Sequence, residues 1–336
     1  MARWLVLACL CGSLFFAACA ARDPDLASLR ATPRVTIAEP NGNPFGVMLP
    51  ARQARTPAGM EIARRLGVAF IRPESILLEG WDGRCVPCDV ALAAGFHLAL
   101  TVRNNGPSAT TPPADLTSFR RALEQVLDRY RPAVLVVENE ENSALFYTGS
   151  PPDYLGELQV ACAVAHERNV PCANGGLASS LVALLVYEDY RAAGNDEDAE
   201  AFAARAFTPE QRRLLGSPDA EAQLRKGEAL LAGYARAGAD YVNFHWYQPD
   251  GRALREAVDF LRARTGLPVI TNEVGQTTDD PDQTQEILRA ILEADIPVAV
   301  WFGLDGPRAR GLMDADGTLR ATGEAFGRFV RDAVTP

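Results

Sequence analysis

The sequence predicts an α/β chain folded as a (β/α)8 TIM barrel, with a helical insertion between the fifth strand and the fifth helix. Three observations carry that expectation. Eight short apolar runs recur along the chain: Phe45–Leu49, Val68–Arg72, His97–Val102, Ala133–Asn139, Val170–Asn174, Tyr241–Trp246, Pro268–Asn272 and Val298–Phe302. Amphipathic stretches rich in Ala, Leu, Arg and Glu alternate with them, the pattern of buried parallel strands joined by helices. No glycine-rich turn follows the first run, only Leu49-Pro-Ala-Arg52, so the phosphate loop of an open doubly wound sheet is missing.

The helices are legible one by one. Thr56 followed by Pro57 reads as an N-cap and a first-turn proline. Between Asp115 and Tyr130, apolar residues fall at Leu116, Phe119, Leu123, Val126 and Leu127, a helical spacing. Asp153–Arg168, Glu221–Ala237, Arg252–Thr265, Pro281–Ala294 and Thr322–Val334 follow the same rule, and Gly266 stops one of them. Between the fifth and sixth runs the interval is too long for one helix. Leu181–Ala206 and Thr208–Leu215 read as extra helices, so an insertion of about residues 178–217 is expected on the side of the barrel mouth.

The ends divide the chain further. Met1-Ala-Arg3 is a short positive region, and Trp4–Ala18 is apolar but short for a membrane span. Residues 1–20 therefore read as an export signal, 21–44 as a flexible tether and 45–336 as the barrel domain. Phe16-Ala-Ala-Cys19 resembles a bacterial lipobox, which implies lipid on Cys19 and a place in the periplasm or on the cell surface; ordinary cleavage after Ala20 is the alternative. Cys85, Cys88, Cys162 and Cys172 then remain, an even set that permits disulfides in an exported protein. A net charge of −10 without a basic cluster excludes nucleic acid as a partner and leaves the lipid anchor as the only expected membrane contact.

The chemistry-bearing residues cluster at run ends. Glu140 follows the fourth run and Glu273 the seventh, each preceded by Asn, at Asn139 and Asn272. A parallel barrel gathers such ends at one mouth. Two carboxylates there can divide the work of breaking a glycosidic bond, one giving a proton and one attacking. Strand alternation places Val136, Glu138 and Glu140 on one side of their run and Val269, Thr271 and Glu273 on one side of theirs, so both glutamates are expected to point inward. Three histidines, at 97, 166 and 245, are too few and too scattered for a metal-ligand set, and no cofactor is expected.

This pattern resembles the clan A glycoside hydrolases, a superfamily of retaining (β/α)8 enzymes. The resemblance rests on Asn139-Glu140 at the fourth strand, Glu273 at the seventh, His245-Trp-Tyr247 at the sixth, Trp301 at the eighth and Arg72 at the second. It implies Glu140 as acid/base and Glu273 as nucleophile. It further implies Arg72 and Tyr247 beside the nucleophile, Asn139 on a sugar hydroxyl, His245 in the same network and Trp301 against the sugar ring. The partner it implies is an oligosaccharide or polysaccharide cleaved at a β-glycosidic bond. One departure stands out: the superfamily has Pro after the acid/base, and this chain has Glu141, so three acids crowd into Glu138–Glu141. The alternative expectation is a non-catalytic, glycan-binding barrel on the cell surface.

Overall fold

The computed structural model describes residues 35–38, 42–106, 108–305 and 311–334, which fall in one compact unit, Ala31–Pro336. Export signal and Cys19 lie outside the described residues. Among the described residues no helix is long and apolar enough to cross a membrane.

Strands β1 (Phe45–Val47), β2 (Phe70–Ile71), β4 (His97–Arg103), β5 (Val134–Val137), β6 (Cys172–Asn174), β7 (Val242–Trp246), β8 (Val269–Val274) and β9 (Ala299–Trp301) form the barrel, all parallel, in the order β6-β5-β4-β2-β1-β9-β8-β7. Isolated bridges Ala173↔Tyr241 and Leu177↔Phe244 join the two ends. A short strand β3 (Ile76–Leu77), unanticipated from the sequence, lies off this path and extends β4 at its carboxyl end.

Two packed layers follow from alternation along these strands. Phe70, Ala99, Val134, Val136, Ala173, Tyr241, Ile270, Val298 and Val300 form the cluster inside the barrel. Their chain neighbours, such as Ile71, Leu100, Leu135, Val242, Val269 and Trp301, belong to the larger cluster between strands and helices. Gly46 supplies the narrowest point: a Cβ there would sit 2.8 Å from the Cβ of Phe70.

The outer ring holds α1 (Pro57–Leu66), α2 (Val86–Ala93), α3 (Leu116–Tyr130), α4 (Pro151–His166), α8 (Pro218–Tyr234), α9 (Gly251–Thr265), α10 (Pro281–Glu293) and α11 (Ala321–Val334). The expected caps are present: Thr56 Oγ1 accepts from the Gly59 N–H, and Gly266 ends α9 in the left-handed region, as Gly67, not anticipated, ends α1. The sequence reading had no helix at α2; Pro87 in its first turn and Cys85 as its N-cap start it. Three more helices, α5 (Ser179–Ala192), α6 (Asp196–Ala206) and α7 (Pro209–Arg212), stand between β6 and α8. Gly194, at φ +77°, lies in the polar turn that separates α5 from α6. Helix α6 docks on α9 through Arg205 and Glu256, 2.7 Å apart. Helix α5 starts at the barrel mouth, where Ser179 Oγ accepts from the Tyr247 N–H at 3.2 Å.

Both cysteine pairs are bonded: Cys85 to Cys88 at the start of α2, and Cys162 to Cys172, which ties α4 to β6. His166 on α4 sits 2.8 Å from Asp240, whose Oδ2 also accepts from the Cys172 N–H at 3.0 Å.

The tether expectation fails at its carboxyl end. Ile37 is 93% buried in the inner cluster. Its N–H donates to the Tyr241 hydroxyl at 3.0 Å, and the Val35 N–H donates to Asp240 Oδ1 at 3.2 Å. An apolar residue near the open bottom of a barrel removes more surface from water by plugging it than by trailing free. Ile37→Asp, which puts a charge into that plug, is expected to destabilise the fold by about 2–4 kcal/mol. Urea denaturation followed by circular dichroism measures this; an unchanged midpoint would show that the segment does not seal the barrel.

Candidate functional site

Arg72, just past β2, reaches across the mouth. Its Nη1 donates to Glu273 Oε1 at 2.6 Å and to the Asn272 carbonyl at 3.1 Å, its Nη2 to Asn139 Oδ1 at 3.2 Å and its Nε to Thr101 Oγ1 at 3.3 Å. The Tyr247 hydroxyl donates to Glu273 Oε2 at 2.8 Å. His245 Nδ1 lies 2.9 Å from Glu140 Oε1 and 3.4 Å from Glu273 Oε2. One oxygen of Glu140, one oxygen of Glu273 and a ring nitrogen of His245 all lie within 4.8 Å of one another. Thus six of the seven residues singled out from sequence meet at the carboxyl ends of the strands: Arg72, Asn139, Glu140, His245, Tyr247 and Glu273.

Glu273 arrives there by a route that alternation does not predict. Inside-facing residues on β8 are Ile270 and Asn272, so Thr271 and Glu273 should face the helices. On β7, Asn243 pairs with Ile270 and His245 with Glu273, two residues against three; on β9 the pairs Thr271↔Ala299 and Val274↔Trp301 show the same extra residue. A β-bulge at Asn272 and Glu273 turns both side chains inward. Past β5, Glu138 and Glu140 adopt φ of +69° and +41°, a left-handed conformation strained for non-glycine residues by roughly 1–3 kcal/mol each. It ends the alternation and lets three consecutive acids diverge.

The crowded acids separate cleanly. Glu138 turns away and accepts from the Asn104 N–H and the Thr110 hydroxyl, both at 2.6 Å, with Arg103 3.8 Å off. Glu141 Oε1 accepts from the Tyr234 hydroxyl at 2.5 Å and from Asn174 Nδ2 at 2.8 Å. Glu140 alone faces the mouth. The positions differ in charge state. Burial pushes the Glu273 carboxyl up, but His245, Arg72 and the Tyr247 hydroxyl outweigh it and hold it at about 2, so it is ionised at neutral pH. Burial raises Glu141, against the pull of Tyr234 and Asn174. Burial, then the negative charge of Glu138, pushes Glu157 on α4 well up; its Oε2 accepts from the Tyr147 hydroxyl at 3.0 Å.

Trp301 is not at the site. It is 1% exposed and packs edge-on against Phe326 of α11, ring centroids 5.4 Å apart. Its neighbours Val300 and Phe302 share the opposite side of β9, and Phe302 turns to the mouth. That ring is 38% exposed and stands edge-on to Tyr247 at 6.1 Å. Alternation from Val298 and Val300 would have selected Phe302; the family resemblance selected its neighbour. Asn104 and Asn105 brace their own loop by donating to Thr111. Sequence reasoning noted Asn272 only as the residue before Glu273 and missed Asn174, Asn243 and Thr101; together they line the inside of the mouth with side-chain amides and a hydroxyl.

No family model and no curated protein matches the chain. Solved structures do. The chain is similar to a glucosidase from Croceicoccus marinus, with a TM-score of 0.59 at 13% identity over 88% of this chain and 69% of that one. It is similar to a GH128 endo-β-1,3-glucanase from Pseudomonas viridiflava, with a TM-score of 0.53 at 19% identity over 84% and 96%. A β-glucanase from Saccharophagus degradans, solved in complex with cellotetraose, gives 0.52 at 14% identity over 93% and 96%. At these identities the likeness is one of fold: the chain has the (β/α)8 barrel on which these glycoside hydrolases are built.

The folded protein keeps a proton on Glu157 that the unfolded chain releases above its ordinary value of 4.5. A carboxyl raised in this way contributes stability that is complete below the unfolded value and is lost as pH climbs toward the folded one. Glu157→Gln carries no such proton, so the variant should match the wild type near pH ~4 and exceed it near pH ~8. Urea midpoints at the two pH values measure the difference; a gap that does not widen with pH would contradict the buried-proton assignment.

Proposed function

We propose that this protein is a retaining β-glycoside hydrolase acting by double displacement, with Glu273 as nucleophile and Glu140 as acid/base. The observation that carries the proposal is the approach of a Glu140 oxygen to within 4.8 Å of a Glu273 oxygen at the barrel mouth. Carboxyl groups about 5–5.5 Å apart suit retention, whereas inversion needs about 6.5–9.5 Å to admit a water.

In the first step Glu273, ionised and anchored by Arg72 and Tyr247, attacks the anomeric carbon while Glu140 gives its proton to the departing glycosidic oxygen. The C–O bond breaks and a glycosyl ester forms on Glu273. In the second, Glu140 takes a proton from water, whose oxygen attacks the same carbon and frees Glu273. Arg72 and Tyr247 hold the negative charge before attack and after release, and their bonds weaken while the ester exists. Asn139 accepts from Arg72 through Oδ1, which leaves its amide hydrogens for a sugar hydroxyl. Phe302, in place of Trp301, offers its exposed face to the sugar ring.

The disulfides Cys85–Cys88 and Cys162–Cys172 support the export reading, since such bonds persist outside the cytoplasm. An anchor at Cys19 remains part of the proposal and is tested by the intact mass of the mature, cell-derived protein. A glycan-binding barrel without turnover is a less economical reading, because binding alone does not require an ionised carboxylate held at about 2 beside a second one.

Glu273→Ala and Glu140→Ala are each expected to lower kcat at least ~10³-fold on any glycoside the wild type cleaves. Azide should restore turnover to the Glu273 variant with inverted product, and a 2-fluoro glycoside should leave a covalent adduct on Glu273 detectable by intact mass. Full activity in either alanine variant defeats the assignment. Phe302→Ala should raise KM more than it lowers kcat, while Trp301→Ala should lower stability by about 3–5 kcal/mol. Steady-state kinetics and thermal melts separate the two.

A further inference from the structure

We infer that Asn243 is a positioning residue that holds His245 in the tautomer with its proton on Nε2, and thereby leaves Glu140 free to carry the catalytic proton. The inference rests on the hydrolase reading for its catalytic consequence, but its structural half stands independently of it.

One group in this network has a direction beyond choice. The backbone N–H of Asn272 meets the side chain of Asn243 at 2.9 Å. A backbone N–H only donates, so the atom it meets is Oδ1. The other amide atom of Asn243 is then Nδ2, and it lies 2.7 Å from the side chain of Asn272, whose facing atom must be Oδ1. The remaining Asn272 Nδ2 reaches Thr101 Oγ1 at 3.2 Å. The same logic orients Asn174: its Oδ1 accepts from the backbone N–H of Asn243 at 2.6 Å, and its Nδ2 donates to Glu141 Oε1.

His245 Nε2 lies 3.0 Å from Asn272 Oδ1, an atom with no hydrogen to give. Nε2 therefore carries the hydrogen, and in the neutral ring Nδ1 carries none. Only glycine fits against this edge of the ring. Gly176, at φ +105°, lies directly on it: a Cβ there would fall 2.3 Å from Nε2 and 2.6 Å from Cδ2.

This tautomer has consequences at Glu140. A neutral ring with hydrogen on Nδ1 would donate to the Glu140 carboxylate and hold it ionised, an acid without its proton. With hydrogen on Nε2, the bond between Glu140 Oε1 and Nδ1 needs one more proton, shared between the two: on Nδ1 it makes the ring an imidazolium whose charge also favours ionised Glu273, and on Glu140 it leaves the ring neutral and Glu273 to Arg72 and Tyr247. Once Glu140 has protonated the leaving oxygen, its carboxylate faces the Nδ1 lone pair at 2.9 Å. That contact is unfavourable and is relieved when Glu140 takes a proton from water in the second step. The charged and titratable groups facing His245 are Glu140 from the loop after β5 and Glu273 from β8. Arg72 and Tyr247 stand behind Glu273, and Glu141 stands beyond Asn174.

The chain has three histidines, so ¹⁵N spectra of histidine-labelled protein are tractable, with His245→Gln identifying the resonances of that ring. In substrate-free wild type, Nε2 should show a pyrrole-type shift across the pH range in which the ring is neutral. A pyrrole-type Nδ1 with a pyridine-type Nε2 overturns the proposal whether or not any glycoside is cleaved. In Asn243→Asp the second carboxylate oxygen cannot donate to Asn272, whose amide should turn over and force Nε2 to accept. The two ring shifts should exchange, and the alkaline limb of kcat/KM should move to lower pH by about one unit. A folded variant that keeps the wild-type tautomer also overturns the proposal. Wild type with the Nε2 hydrogen in place but inert toward every glycoside would support the tautomer and overturn its catalytic half together with the hydrolase reading.

Discussion

An ionised carboxylate, 92% buried, is the constraint around which the barrel mouth is organised. Removing Glu273 from water is costly unless its charge is met. Two groups meet it by hydrogen bonds, the Arg72 guanidinium and the Tyr247 hydroxyl, and the His245 ring adds its charge when Nδ1 holds the proton it shares with Glu140. Their geometry has to be held to within tenths of an ångström, and that requirement propagates outward. Arg72 is steadied by Thr101, Asn139 and the Asn272 carbonyl, and His245 by Asn272, which is clasped by Asn243.

That demand explains features that look like irregularities. The bulge in β8 delivers two consecutive inward side chains, Asn272 for the histidine and Glu273 for the arginine, where a regular strand would deliver one. The left-handed residues Glu138 and Glu140 cost free energy, yet they send three adjacent acids in three directions. Of these only Glu140 comes near Glu273. Glu138 and Glu141 are held by hydroxyl, amide and backbone donors, so neither adds an uncompensated charge to the mouth. Glu141 is accommodated by a pocket of Tyr234, Asn174 and Gly175, where a Cβ on Gly175 would come within 2.8 Å of Glu141 Oε2.

Reading from the sequence went astray where two neighbouring residues competed for one place. Trp301 and Phe302 are adjacent, and resemblance favoured the tryptophan; the period of the strand assigns it to the helix side, against Phe326. Residues 35–38 carry no periodic signal, so nothing local marks Ile37 as a plug; its partner Tyr241, like Val35's partner Asp240, lies more than two hundred positions away. The amide ladder of Asn174, Asn243 and Asn272 is likewise invisible, because isolated asparagines in strands resemble turn residues until their partners are known.

What the sequence determined by itself was whatever depends on local chemistry and period: the eight strand-like runs, most of the helices with their Thr56 and Gly266 caps, and the two acids at strand ends. Barrel closure then makes their meeting at one mouth a matter of topology. Only the tertiary structure decided which way Glu273 points and which ring nitrogen of His245 is protonated. Each of those turns on one extra residue in a strand or on one hydrogen-bond direction, and such a choice is settled by partners distant in the chain, whose positions no local propensity encodes.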